Sequence, residues 1–447
     1  MSGCVTAMNT MLNLDTLKYT DGLESECTAR PEGRVAKVIG LTVESVGPRI
    51  SVGDLAWIET ANGKNTKQVP AEVVGFRDNS VLLMPVEYLG GIRPGARVLP
   101  GNRLEVCAGY SLLGRVVDGL GRPIDNGPEL TDTVPVEIHR AAPAPMTRER
   151  LREVFSTGIK AIDGMLTCAK GQRVGVFSGS GVGKSVLLGS LARNSCATVN
   201  VIALIGERGR EVRDFIENCL GDGLKKSVVI VATSDQSPLM RIKGASTAMA
   251  IAEYFRDRGE NVLLLMDSIT RYGMAQREIG LAIGEPPTTK GYPPSVFGLL
   301  AHLLERSGNS DKGSITAFYS VLVEADDMND PIADSARSVL DGHIVLSRQI
   351  AESNHYPAID VLMSLSRIMN EIVSGPHREK AGKLRTLMSI YRKAEDLVNV
   401  GAYVAGSNPK IDESLAKIDK IMAFLRQPQY VSSRWDETLK CLEAAVS

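Results

Sequence analysis

The sequence predicts an α/β chain built around a mostly parallel sheet, with a small antiparallel β-barrel ahead of it and a helical domain behind it. Three observations carry this reading. From about Gly101 onward, apolar strand-like runs alternate with longer helical stretches, the pattern of a parallel sheet covered on both faces. Between Gly33 and about Pro100, short β-branched-rich runs follow one another at close, even spacing. After about Pro376 the strands stop, and apolar residues recur at helical spacing.

Taken in order, residues 1–24 are small and polar and read as a tail. The barrel, or alternatively a sandwich, is expected over 25–100, from Val35 to Val46, Leu55 to Glu59, Glu72 to Phe76 and Val81 to Met84. The α/β core is expected over 101–376. Val174 to Phe177 precedes a helix from Lys184 to Arg193. Val199 to Ile205 precedes a helix from Glu211 to Leu220, and Val228 to Val231 precedes a long one from Ser246 to Arg258. Val262 to Met266, Ser314 to Tyr319 and His343 to Ser347 continue the series. The helical domain is expected over 377–447, with breaks at Ser407-Asn408-Pro409 and Gln427-Pro428.

Composition narrows the function classes. The chain has 447 residues, enough for two or three domains, and 43% hydrophobic residues, enough to bury sizeable cores. Lys plus Arg is 51 and Asp plus Glu is 52, so overall charge gives no support to nucleic-acid binding. Seven scattered cysteines form no Cys-x-x-Cys pair, which reads as reduced thiols. The first basic residue is Lys18, so residues 1–21 lack the form of a signal peptide, and no apolar run reaches bilayer length. A cytoplasmic protein is expected.

The chemistry concentrates in Ser178-Gly179-Ser180-Gly181-Val182-Gly183-Lys184-Ser185, which follows a strand-like run and opens a helix. That is the context of a P-loop. Its glycines let backbone N–H groups turn inward around phosphate oxygens, and the helix N-terminus adds its positive end. Gly179, Ser180, Gly181, Val182 and Gly183 supply the cradle, Lys184 reaches the β- and γ-phosphates, and the Ser185 hydroxyl ligates Mg²⁺. Ser178 stands where the strict pattern has glycine.

The apolar strand Val262 to Met266 ends in Asp267, the usual arrangement of a carboxylate that holds Mg²⁺ beside a P-loop. Glu207, just past the end of another strand, could orient the attacking water, or belong to a solvated charge cluster or a helix cap. Arg367 is a candidate cation for a charged transition state, although a lone arginine is more often a surface residue. Tyr356 could offer an aromatic face to adenine or be a packed tyrosine.

Gly206 to Glu211, Asp267-Ser268-Ile269-Thr270-Arg271-Tyr272, Met274-Ala275-Gln276-Arg277-Glu278 and Gly291-Tyr292-Pro293-Pro294-Ser295-Val296-Phe297 resemble the type III secretion ATPases, relatives of the rotary ATP synthase catalytic subunit. The resemblance runs from about Gly33 to the C-terminus and is densest between Gly171 and Ile372. It implies a β-barrel, a RecA-like P-loop ATPase core and a helical C-terminal domain, assembled as a homohexameric ring. It implies that Glu207 is the catalytic carboxylate, that Asp267 is the Mg²⁺-side residue, and that Arg367 is an arginine finger given to the neighbouring subunit. Tyr356 becomes the adenine-stacking residue, and Arg208 and Arg271 fall near the phosphates. Phe424 and Tyr430 are both open as a second adenine-side aromatic.

ATP with Mg²⁺ is the implied substrate. The implied partners are further copies of the chain, a stator-like regulatory protein at the N-terminus, export chaperone–substrate complexes and the membrane export gate, with no nucleic acid. The implied location is the cytoplasmic side of the inner-membrane export apparatus. Ser180 to Leu188 and Arg271 to Gln276 look like the flagellar branch rather than the virulence injectisome. Three further readings stand beside this one. A rotary synthase catalytic subunit would co-assemble with a distinct large subunit. A non-hydrolysing scaffold subunit would have no use for Glu207. A hexameric RNA translocase would want a basic, aromatic-rich barrel.

Overall fold

A computed structural model describes residues 32–62, 65–87, 90–323 and 330–447. The expected tail over 1–24 lies outside the described residues.

Six strands close an antiparallel barrel: β1 (Gly33–Ile39), β2 (Thr42–Val46), β3 (Asp54–Asn62), β4 (Asn65–Arg77), β5 (Ser80–Pro85) and β6 (Arg97–Arg103), in the order β1-β2-β5-β4-β3-β6. Closure comes from Gly33 pairing with Val98. The stretch Val35 to Val46, read from sequence as one run, is a hairpin: Ile39 pairs with Thr42 across a turn at Gly40. Inward-facing Val43, Ala56, Ile58, Val73, Leu83 and Val98 fill the barrel.

The core holds a nine-stranded sheet. Its strands are β7 (Val116–Asp118), β8 (Arg173–Ser178), β9 (Val199–Ile205), β10 (Ser227–Ala232), β11 (Asn261–Asp267), β12 (Gly308–Asn309), β13 (Ser314–Leu322), β14 (Gly342–Leu346) and β15 (Leu365–Ser366). The order is β15-β14-β8-β13-β11-β9-β10-β7, with β12 pairing on β13. The pairs from β14 through β7 are parallel, whereas β15 and β12 pair antiparallel. Side chains alternate between faces, as the period of a strand requires. Along β9, Val199, Val201, Ala203 and Ile205 enter one core while Ile202 and Leu204 enter the other.

One face is covered by the helices Pro238–Arg256, Ile269–Ile283 and Ser295–Glu305, and the other by Lys184–Asn194. The long helix begins at Pro238, eight residues before the Ser246 expected from sequence. Ser237 caps it, its hydroxyl accepting from the Met240 N–H, and Pro238 supplies the fixed φ of a first helical position. The expected helix from Glu211 to Leu220 is a short α-helix, Gly209–Asp214, that widens into a π-turn over Phe215–Leu220.

The C-terminal helices Gly375–Asn399, Pro409–Leu425 and Trp435–Val446 bury Leu384, Leu387, Ile421, Leu425 and Leu442 in the same core as the helix Lys184–Asn194. The helical domain therefore packs on the face of the sheet that carries the P-loop. The barrel is tied to the core by Lys243, which is buried with its ammonium on Glu72 of β4 and 3.0 Å from His139 Nε2.

Candidate active site

The site forms where β8, β9 and β11 end. In β8 the chain leaves the sheet at Ser178, turns through Gly181 and Gly183, and enters the helix at Lys184. Gly183 has φ +89°, a left-handed conformation that glycine adopts without penalty. A Cβ there would also lie 3.4 Å from the Tyr356 ring. In β9 the chain turns at Gly206, with φ +72°, where a Cβ would come within 2.8 Å of Arg271 Cβ. Glycine thus lets the Glu207 turn and the Arg271 side chain share one small space.

These turns bring three charged groups together. Lys184 Nζ lies 2.6 Å from Asp267 Oδ1 and 3.4 Å from Glu207 Oε1. Asp267 is buried at the end of β11, and Lys184 and Glu207 keep only 12% and 16% of their side-chain surface. Burial works against the Lys184 ammonium, but the Asp267 and Glu207 carboxylates outweigh it and hold its pKa above the ordinary lysine value. Burial pushes the Glu207 carboxyl up, and neighbouring Glu211 pushes it further, against the pull of Lys184.

Glu207 does not cap the following helix. Arg208 occupies that position, and the Glu207 side chain points at Lys184. Of the readings left open by the sequence, this geometry favours a carboxylate directed into the site.

A cavity of about 1210 Å³ opens over the loop. Gly179, Ser180, Gly181, Gly183, Lys184, Ser185, Glu207, Arg208 and Arg271 line it. Thr270, Arg277, Lys290 and Arg348 also line it and were not singled out from sequence. Six basic side chains face four acidic ones there, a balance that suits a polyanionic ligand. Among the described residues, the buried Arg271 Nε has no hydrogen-bond partner, a donor left for a ligand to satisfy. Val182 is buried beneath the loop and supports it without lining the cavity. Arg208 stands at the rim, largely exposed and 3.7 Å from Glu211.

A second, mainly apolar cavity of about 660 Å³ adjoins the first and shares Gly183 and Val186 with it. Tyr356 and Pro357 form one wall, Ile159 and Leu187 another, and Gln427 and Pro428 a third. Gln427 pins the walls together. Its N–H donates to the Tyr356 carbonyl, its amide oxygen accepts from Lys160 N–H, and its amide nitrogen donates to the Gly158 carbonyl. From sequence, Gln427-Pro428 was no more than a helix break. Neither candidate second aromatic lines this cavity: Phe424 is buried against Gly164, and Tyr430 lies outward over the Arg193 guanidinium.

Arg367 is not brought into the site. It follows β15, which runs antiparallel to β14, so it emerges at the edge of the sheet opposite the P-loop. There its N–H donates to the Asp341 carbonyl and its guanidinium to the Arg337 carbonyl, and the side chain is exposed.

Residues 158–366 match the nucleotide-binding domain of the ATP synthase alpha/beta family, and residues 373–444 match the C-terminal domain of the type III secretion ATPase EscN. A flagellum-specific ATP synthase of Bacillus subtilis is 50% identical over 97% of this chain and 98% of its own. A type 3 secretion system ATPase of Xanthomonas euvesicatoria is 49% identical over 94% of this chain and 95% of its own. The chain belongs to the type III export ATPase family. Among solved structures, the assembled ATPase EscN of the enteropathogenic E. coli type III secretion system superposes with a TM-score of 0.87 at 42% identity, covering 93% of this chain and all of that one. This export ATPase therefore has the barrel, nucleotide-binding core and helical domain of its family, and it is an ATPase. Among the described residues, no helix is long and apolar enough to cross a membrane.

Proposed function

We propose that this chain hydrolyses Mg-ATP at the Lys184–Glu207–Asp267 cluster to energise type III export of flagellar proteins, as a homohexameric ring at the cytoplasmic face of the export apparatus. The observation that carries the catalytic part is the convergence of one buried ammonium and two carboxylates at the mouth of a glycine-rich loop.

The triphosphate lies in the larger cavity, its oxygens taken by backbone N–H groups of the loop and by Lys184. Adenine lies in the apolar cavity against Tyr356. Arg271 and Arg208 add positive charge near the phosphates. Glu207, made more basic by burial, accepts a proton from the attacking water as its oxygen bonds to the γ-phosphorus and the γ-phosphorus–oxygen bond to ADP breaks, ADP leaving with that oxygen. Lys184 exchanges its carboxylate contacts for phosphate oxygens when nucleotide enters.

The Ser185 hydroxyl and the Asp267 carboxylate are the hard oxygen donors that Mg²⁺ prefers, and Lys184 holds Asp267 at the place where the loop opens. A Mg²⁺ held by Ser185 and Asp267 would supply positive charge against the charge that develops on the phosphates.

Arg367 acts in the neighbouring subunit's site. Its position at the opposite sheet edge supports this reading, because it cannot reach its own P-loop without leaving the sheet. Flagellar relatives at 50–51% identity come from Bacillus subtilis, Salmonella typhimurium and Pseudomonas aeruginosa, in line with the flagellar branch. The stator-like partner is expected on the N-terminal residues, and chaperone–substrate complexes and the export gate are expected on the assembled ring. One experiment tests the branch. Expression in a flagellar-ATPase deletion strain should restore motility. Restored injectisome secretion with no motility would assign the other branch.

A further inference from the structure

Ser320 occupies a position that the reading so far leaves unused. It lies on β13, the strand between the P-loop strand β8 and the Asp267 strand β11. Met266 pairs with Tyr319 in the parallel β11–β13 register, so Asp267 and Ser320 are level. Val176 pairs with Ser320 on the other side. Residues paired across parallel strands share a face. Met266 and Tyr319 both enter one core, and Leu265 and Phe318 the other. Asp267 and Ser320 therefore both face the side that holds the helix Lys184–Asn194. Ser320 is fully buried, and its hydroxyl makes no close hydrogen bond among the described residues, although it lies beside the Asp267 carboxylate.

A buried hydroxyl without a partner costs free energy, so its presence calls for a state in which it is satisfied. The chemistry beside it supplies one. Asp267 is compensated by the Lys184 ammonium at 2.6 Å. Once Lys184 turns to phosphate, that buried carboxylate loses its donor. A side chain on the adjacent strand, at the same level and on the same face, can replace it.

We propose that Ser320 is a positioning residue that donates its hydroxyl hydrogen to the Asp267 carboxylate in the nucleotide-bound state, holding the oxygens toward the metal while Lys184 is engaged on phosphate. The proposal rests on Lys184 and Asp267 having the roles given above.

The test uses the full-length chain and its Ser320→Ala and Ser320→Thr variants. Melting temperatures are taken without ligand and across Mg²⁺ titrations at fixed ADP and at fixed ATP. In the ligand-free protein, Ser320→Ala removes an unsatisfied hydroxyl and should leave the melting temperature unchanged or raise it. The Mg²⁺ concentration for half-maximal stabilisation should rise roughly ten- to hundredfold, the range spanned by one hydrogen bond to a charged group. Ser320→Thr keeps the hydroxyl and should recover most of the Mg²⁺ response. Equal half-saturation in the parent and Ser320→Ala, whatever their melting temperatures, overturns the proposal. A parent that Mg-nucleotide does not stabilise at all would instead overturn the reading of the site on which it rests.

Discussion

Lys184 Nζ sits 2.6 Å from Asp267 Oδ1, so the residue assigned to phosphate and the residue assigned to metal neutralise one another. Each of these two buried charges has its partner in the other. Removing Lys184 leaves Asp267 buried and without its cation, while removing Asp267 leaves Lys184 only the Glu207 carboxylate at 3.4 Å.

Lys184→Ala should therefore abolish turnover and weaken nucleotide binding by about 1.5–3 kcal/mol, the worth of a charge-assisted contact. Fluorescent-nucleotide titration and phosphate release on the same preparation measure both quantities. Turnover near the parent rate would place the site elsewhere.

An interior ion pair supplies a stability prediction. Arg306 donates from Nε and Nη2 to the two carboxylate oxygens of Glu253, each at 2.9 Å, and from Nη1 to the Ile138 carbonyl. The Arg306 and Glu253 side chains keep 3% and 1% of their surface. Arg306→Ala leaves Glu253 only Arg140, 3.8 Å away, and should cost about 3–5 kcal/mol, read from denaturant midpoints. A loss under about 1 kcal/mol would show that Arg140 or another donor takes over Glu253.

Acid should weaken the edge of the core through Asp125. The Arg115 guanidinium grips both its oxygens at 2.8 Å, and the N–H groups of Val116 and Gly127 donate to it as well. Arg115, first among these, holds its pKa well below the usual carboxylate range. A depressed folded-state pKa contributes stability that is present above the unfolded value, about 3.9, and is lost as pH falls through the folded one. Below about pH 4, stability of the parent should fall with a steeper slope than that of Asp125→Asn. Parallel slopes would remove Asp125 from the acid response.

The position of Arg367 predicts complementation between dead subunits. Arg367→Ala and Lys184→Ala should each be inactive alone. A finger supplied in trans is worth roughly 10³–10⁵ in rate. Mixed rings contain interfaces that pair an intact P-loop with an intact arginine, and these should recover part of the ATPase rate. No recovery in rings shown to be mixed would count against trans completion.

The sequence made the fold legible where local pattern and topology coincide. The apolar run ending in Asp267 and the glycine-rich turn into Lys184 each carry their own periodicity and turn chemistry. The helix start at Pro238 was missed because Ser237-Pro238 reads as a turn until its cap is seen. The adenine-side cavity was illegible for a different reason. Ile159, Tyr356 and Gln427 are far apart in the chain, and only the packing of the C-terminal helices against the P-loop face brings them together. Ser320, an ordinary serine in an apolar strand, becomes notable only once the strand register sets it level with Asp267.

The most direct test of the account is Glu207→Gln, with Mg-ATP binding and turnover measured on one sample. The substitution keeps the shape of the side chain and removes the carboxylate proposed to accept the proton of water. Binding should stay near the parent value while turnover falls by about 10²–10⁴. Turnover at the parent rate with intact binding would show that Glu207 only balances the charge of Lys184, and the catalytic assignment would be wrong.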